Sequence, residues 1–348
     1  MPPPELYVTN FNKNFTGVSA TTAGVVAVQQ DQFDMRLVGQ PLPHCPVPIS
    51  KQLAYKLSRK KPPDRPFSIW HVRRNPEMRA ALWARDVLRL PIKIVFTSAA
   101  QRLHSAYPRW LISNMDAVIA TTPEAASFVS NVHAVVSHGV DTNQFRPAQN
   151  RSSAWRMLGY GGTFGLAAVG RIRPEKGTDI FVEAMLEVLP KHPDLVALIV
   201  GKTAKEHLSF KRKLESRIES AGLSNRLVFT GEVKPDKMPA LMRALTLLVA
   251  LPRYEGYGMT PLEALASGAP FIGTETGYFQ EFSNDGQLGT VVGTENSAKA
   301  AAAVEAWFAN PGRLSKASEI APGFVKQQHS IEREVAGINA VYEGLWAQ

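Results

Sequence analysis

The chain has 348 residues, 45% of them hydrophobic and 20% charged, with a formal net charge of +9, which suits two globular domains and excludes a disordered chain. A lone cysteine, Cys45, excludes an internal disulfide framework and fits a reducing compartment. The longest apolar runs fall far short of the ~20 residues that cross a bilayer, and MPPPELYVTN has neither the basic start nor the apolar stretch of a signal peptide, so a soluble cytoplasmic protein is expected.

In chain order, LYVT (6–9) is the first expected buried strand, and NFNKNFTGVSATT (10–22) follows it, with Gly17 as its one glycine and a helix expected from Val18 onward. The basic stretch SKQLAYKLS (50–58) runs into the turn-rich RKKPPDRP (59–66). Residues 50–65 hold six Lys or Arg against one Asp, interrupted by Leu53, Tyr55 and Leu57 at near-helical spacing. That pattern suits a helix on an anionic membrane surface and equally a solvated helix face. FSIWHV (67–72) is the next strand, and a helix over 76–91 follows, with Asn75 as its cap and Met78, Leu82, Val87 and Leu90 as its apolar face. IKIVFT (92–97), DAVIAT (116–121) and HAVVS (133–137) continue the series of strands.

The polar, turn-rich interval HGVDTNQFRPAQNRSS (138–153) separates this series from a second one, so the expected domains are 1–145 and 146–329. The second series comprises FGLAAVG (164–170), LVALIVG (195–201), RLVFTG (226–231), LTLLVAL (245–251) and APFIG (269–273), each followed by a helical segment. Strands that are apolar throughout imply parallel sheets covered on both faces, hence two doubly wound α/β domains. A terminal helix over about 330–348 has Ile331, Val335, Ile338, Val341 and Leu345 on one face and is expected to pack on the first domain.

Ligands of doubly wound sheets bind beyond the carboxyl ends of the strands. There, YEGYGMTPLEALASGAPFIG (254–273) places Glu255 and Glu263 eight residues apart, frees the backbone at Gly256 and Gly258, and opens a helix near Thr260. Amides at that helix start suit a phosphate. Thr260-x-x-Glu263 also reads as a capping box, which is an ordinary structural alternative.

The segment EGYGMTPLEALASGAP resembles the E-x7-E signature of retaining GT-B glycosyltransferases of glycosyltransferase family 4. GRIRPEKGTDIFVEAM (170–185), LIVGKTAKE (198–206), RLVFTGEV (226–233) and HGVDTNQFRP (138–147) are similar to further blocks of that family in the same order. The resemblance implies a GT-B fold: two Rossmann-like domains facing a central cleft, an acceptor-binding one and a donor-binding one, with the C-terminal helix crossing back. It implies that Arg171 and Lys176 neutralise the departing nucleoside diphosphate, Arg171 as a planar fork and Lys176 as a point charge. It further implies that Glu263 accepts from ribose hydroxyls and Glu255 faces the donor hexose. Gly256, Tyr257, Gly258, Met259 and Thr260 then present backbone to sugar and phosphate, while Gly201, Lys202, Glu232 and Val233 line the nucleobase slot. No Asp-x-Asp and no His or Cys metal spacing occurs, so no metal and no cofactor beyond the nucleotide-sugar co-substrate is expected.

On the acceptor side, Gly17 stands where relatives carry a glycine-rich turn, and His71 is the substitute for a histidine that relatives place at a strand end. Arg73, Arg74 and Arg102 are expected to bind an anionic acceptor. Residues 1–150 hold 17 Lys and Arg against 9 Asp and Glu, and residues 151–348 hold 22 against 21, so the first half meets the anion. No nucleic-acid signature accompanies that charge. NFNKNFTGVSATT, IWHVRRNPEM, FTSAAQR and PRYEGYGMTPLEA are most similar to lipopolysaccharide core mannosyltransferases. Such a likeness implies GDP-mannose as donor and a Kdo-bearing lipid A precursor as acceptor, at the cytoplasmic face of the inner membrane. A UDP-hexose donor with another acceptor, and nucleotide-sugar binding without turnover, stay open at this stage.

Overall fold

Apolar runs become strands wherever turn residues flank them. The computed structural model describes residues 3–348. Six strands, β1 (Leu6–Asn10), β2 (Met35–Gly39), β3 (Ser68–Val72), β4 (Ile92–Ser98), β5 (Ala117–Ala120) and β6 (Val132–Val135), form a parallel sheet in the order β2-β1-β3-β4-β5-β6. Six more, β7 (Phe164–Val169), β8 (Leu195–Val200), β9 (Leu227–Gly231), β10 (Leu247–Ala250), β11 (Phe271–Thr274) and β12 (Gly289–Val292), form a second parallel sheet in the order β12-β11-β10-β7-β8-β9. Both are doubly wound, as the alternation of apolar and amphipathic segments predicts. β2 and β12 were not expected from the sequence. Each is an edge strand, only partly covered, so its apolar signal is weak.

The chain divides into two units, one running to Gly139 and regaining His329–Gln348, the other spanning Val140–Gln328. The division falls six residues before the expected one because Glu334, on the terminal helix Ile331–Trp346, claims the chain just ahead of it. Its carboxylate accepts from His138 Nδ1 at 2.7 Å and from the Gly139 amide at 2.8 Å. That helix packs Ile331, Val335, Ile338, Tyr342 and Leu345 into the core beside β1, β3 and β4. Val341 is only partly buried, and Tyr342 takes its place in the stripe. Arg65 ties down the outer end by pairing with Glu343 at 2.8 Å and Glu5 at 2.9 Å, its guanidinium lying 4.1 Å from the Trp346 ring centroid.

Other local expectations need correction. The helix after β3 starts at Asn75 itself, with Arg74 as its cap residue, and gives way to a wider turn at Trp83–Val87. Val87 is therefore turned to solvent, 63% exposed, while Met78, Leu82 and Leu90 are buried. The helix after β1 begins at Gly17, one residue early. Within the basic segment a helix forms over Lys51–Leu57, capped by the Ser50 hydroxyl, but Tyr55 stacks on Trp70 at 5.5 Å and Leu57 packs inward. Only Leu53 of the expected apolar stripe faces solvent, and no helix of the described residues is long and apolar enough to cross a membrane.

Ile338→Ala empties a fully enclosed position of the first unit and should cost about 2–4 kcal/mol. Denaturant unfolding should show that loss in the transition of this unit, leaving that of Val140–Gln328 unmoved.

Candidate active site

In the second sheet the strand order reverses between β7 and β10, and the chain leaves both strands at this point in glycine- and proline-bearing loops. The loop after β7 passes Gly170 and Arg171, makes a tight turn at Pro174–Lys176, and enters the helix Thr178–Val188 through Gly177. Gly177 has φ +64°, and a Cβ there would lie 1.8 Å from the Leu251 carbonyl oxygen. Only glycine lets the two loops approach this closely. Gly201, after β8, plays the same part against the Gly170 carbonyl oxygen, also at 1.8 Å from a built Cβ.

Arg253 holds the paired loops together. Its amide donates to the Glu175 carbonyl at 3.0 Å, and its guanidinium donates to Asp179 through both amino groups at 2.8 Å, to Glu295, and to the Pro174 carbonyl. Burial raises the Asp179 carboxyl, but hydrogen bonding and charge from Arg253 outweigh it and leave it below its ordinary value.

The result is an open depression lined by Arg171, Lys176, Glu255 and Thr260, together with Gly170 and Phe279. Lys176 donates to Glu255, whose other oxygen accepts from the Gly256 amide at 2.9 Å. Arg171 is exposed and makes no ion pair among the described residues. The helix Met259–Ala266 starts beside it from Gly258, at φ +99°, and no side chain caps its opening amides. A Cβ at Gly258 would lie 2.0 Å from the Phe279 ring, so this helix start is fixed by packing. Thr260 therefore sits inside the helix, and the capping-box reading of Thr260 and Glu263 is not borne out.

Glu263 lies one turn beyond Thr260, outside the walls of the depression. Burial without a countercharge pushes its carboxyl up from 4.5 to about 8, although solvent still reaches part of the side chain. Tyr257 is a core residue, stacked on Tyr278 at 5.6 Å and edge-on to Phe282 at 5.3 Å, so only its backbone is placed to meet a ligand. Lys202 and Glu232 lie at the ends of the neighbouring strands β8 and β9, paired loosely at 4.0 Å and well exposed, with Val233 following.

The first unit separates residues that the sequence grouped. His71 is fully buried: Nδ1 bonds the Tyr342 hydroxyl and Nε2 bonds the Thr97 hydroxyl at 2.7 Å. Burial, with Arg73 nearby, holds the imidazole well below its usual value and keeps it neutral. It stands near the end of β3 as expected, but the terminal helix covers it. The three arginines do not act alike. Arg74 is committed to Glu77 at 3.0 Å, Asn10 at 3.1 Å, Ser19 at 3.0 Å and Thr16 at 3.2 Å, which staples the loop after β1. Arg102 is exposed on the loop after β4, and Arg73 is buried. Gly17 is exposed, and a Cβ there would meet nothing within 4 Å, so no close backbone approach depends on it. Glu77, fully buried and accepting from the Thr9 hydroxyl and the Phe11 and Arg73 amides, organises this end of the sheet and was missed in the sequence. It resembles an ordinary helix-start acid there.

The family described as Glycosyl transferases group 1 matches residues 160–324. Over 98% of its length the chain is 37% identical to the lipopolysaccharide core biosynthesis mannosyltransferase LpcC of Rhizobium leguminosarum bv. viciae, covering 96% of that protein. It is equally identical to the corresponding enzyme LpsB of Rhizobium meliloti, covering 97% of it. The chain belongs to the group 1 glycosyltransferases. It is accordingly an enzyme, a hexosyltransferase, with a GT-B fold of two Rossmann-like domains. The C-terminal domain of a group 1 glycosyltransferase, LpcC of Francisella tularensis, matches 56% of the chain at 32% identity and a TM-score of 0.53. Anabaena HepE, crystallised with UDP and glucose, matches 97% at 16% identity and a TM-score of 0.83, a likeness of fold alone.

The Glu263 carboxyl gives this family member a measurable pH signature. The unfolded chain releases that proton near 4.5 and the native protein near 8. Its stabilising contribution is therefore complete below 4.5 and is lost as pH rises toward 8. Ligand-free Glu263→Gln should match the parent in stability near pH 4.5. At pH 8 it should exceed it by about 2 kcal/mol, less than the full shift because solvent reaches the group. Thermal or urea unfolding across that range checks it.

Proposed function

We propose that this glycosyltransferase moves mannose from GDP-mannose to an anionic lipopolysaccharide inner-core acceptor, a Kdo-bearing lipid A precursor, with retention of anomeric configuration. One observation carries the reading: near-complete alignment at 37% identity with two lipopolysaccharide core mannosyltransferases. The cation-lined depression at the strand reversal supports it, because the leaving group of such a transfer is a diphosphate.

In this reading Arg171 grips the diphosphate and Lys176, held by Glu255, adds a point charge where negative charge develops. The uncapped amides of the helix Met259–Ala266 face the same oxygens. Glu263 gives up its proton to accept from ribose hydroxyls, and Glu255 orients the hexose. Gly201, Lys202, Glu232 and Val233 frame the base. The bond from the anomeric carbon to phosphate oxygen breaks as the acceptor oxygen adds on the same face, and the acceptor proton passes to the departing diphosphate. Protein cations do the neutralising, so transfer continues in chelator.

The purified enzyme, assayed with EDTA present, should use GDP-mannose in preference to UDP-glucose and UDP-galactose. Lys176→Ala should lower kcat/KM for the donor about 100-fold with the acceptor KM unchanged. Transfer from UDP-hexoses alone, or no transfer and no donor hydrolysis, would overturn the reading.

A lipid acceptor also calls for a membrane contact. The loop and helix beyond β4 expose Leu103 (61%), Tyr107 (49%) and Trp110 (57%) beside Arg102 and Arg109, with the two rings stacked at 6.2 Å. Aromatic and basic groups together favour an anionic interface. Replacing Tyr107 and Trp110 by alanine should release the protein from anionic vesicles in a flotation assay.

A further inference from the structure

Arg73 follows β3 and is 9% exposed, yet its side chain makes no hydrogen bond and its Nη1 is buried without a partner. A buried guanidinium nitrogen without a hydrogen-bond partner is costly to desolvate. Two carboxylates lie near enough to act on it through their charge, and neither is hydrogen-bonded to its side chain. Glu77 already accepts four hydrogen bonds, from Thr9, Phe11, Arg74 and the Arg73 amide, and Glu334 is engaged by His138 and Gly139.

The neighbouring strand ends repeat the pattern. Ser98 closes β4 and Thr121 follows β5; the Thr121 amide donates to the Ser98 carbonyl at 3.0 Å, while both hydroxyls are buried and unpartnered. Across three adjacent parallel strands the carboxyl rim thus holds one uncommitted guanidinium and two uncommitted hydroxyls.

We propose that Arg73, with Thr121 as a neutral donor on the same face of the sheet, forms a recognition site for a carboxylate on the acceptor sugar. This rests on the glycosyltransferase reading above for the identity of the ligand as an acceptor. A monoanion fits the enclosed charge: among the described residues Arg73 is the buried cation of this rim without a partner, Arg74 being held by Glu77 and Arg102 lying exposed on the loop after β4. A phosphate dianion would bring a second charge with no second enclosed cation to meet it. The planar fork of an arginine matches the two oxygens of a carboxylate.

The test is calorimetric titration of the full-length protein with a Kdo glycoside and with its methyl ester. The wild type should bind the acid at least about tenfold more tightly than the ester. Arg73→Met should bind both forms alike, and Arg73→Lys should fall between, with GDP affinity unchanged in all three. Thr121→Val should reduce the preference about threefold, which covers the case of an Arg73→Met protein that does not fold. Absence of acid preference in the wild type, including failure to bind either form, overturns the site, as does a preference that survives Arg73→Met. Inorganic phosphate competing as strongly as the acid overturns the assignment to carboxylate. Transfer from GDP-mannose is read separately, so its failure would strike the functional reading and leave this binding result standing.

Discussion

An ammonium on one side of the strand reversal and a carboxylate on the other set the geometry of the depression in the second unit. Lys176 arrives on the loop after β7 and Glu255 on the loop after β10, 79 residues later, and they meet because Gly177 lies against the Leu251 carbonyl. Parallel strands that start in opposite chain directions from a common centre leave a crevice between their exit loops. Here that crevice is closed to the span of one ion pair, and Arg253 braces it from behind by binding the Pro174 carbonyl, Asp179 and Glu295. In the proposed transfer, a diphosphate offers this ammonium a stronger partner than one carboxylate.

Charge in the two units is handled in different ways. The second unit keeps the cations of its depression partly open, with Arg171 exposed and Lys176 a quarter exposed at 26%. Exposed cations can rearrange around a large flexible ligand at little cost. In the other unit the polar groups are buried within the sheet rim, and most are satisfied internally by Glu77, Glu334, His71 and Tyr342. Inside such a network each unmet donor is conspicuous, since the surrounding protein has paid its desolvation in advance.

The terminal helix links these properties to stability. It supplies Tyr342 to His71, Glu334 to the chain leaving β6, and an apolar stripe to the first core. His71 is thereby converted from a possible proton carrier into a neutral strut. A fold that recruits His329–Gln348 to finish its first core makes the integrity of the first unit depend on that segment.

Sequence alone determined what local chemistry controls. Apolar runs between turn residues marked ten of the twelve strands of the described residues, and the Glu255 segment with the Arg171 and Lys176 block picked out three residues that line one depression, because they lie in a few short segments. The edge strands β2 and β12 escaped notice since half-covered strands need little apolar character. Only the tertiary structure decided which of several similar cations were spoken for. Arg73 and Arg74 are neighbours in sequence and alike in type, yet Glu77 takes one and leaves the other unmet. Likewise it decided that His71 is covered, Tyr257 packed and Arg253 a brace, all outcomes of contacts between segments distant in the chain. Burial and pairing are properties of the assembled neighbourhood, and a linear pattern carries them only where the neighbours are also neighbours in sequence.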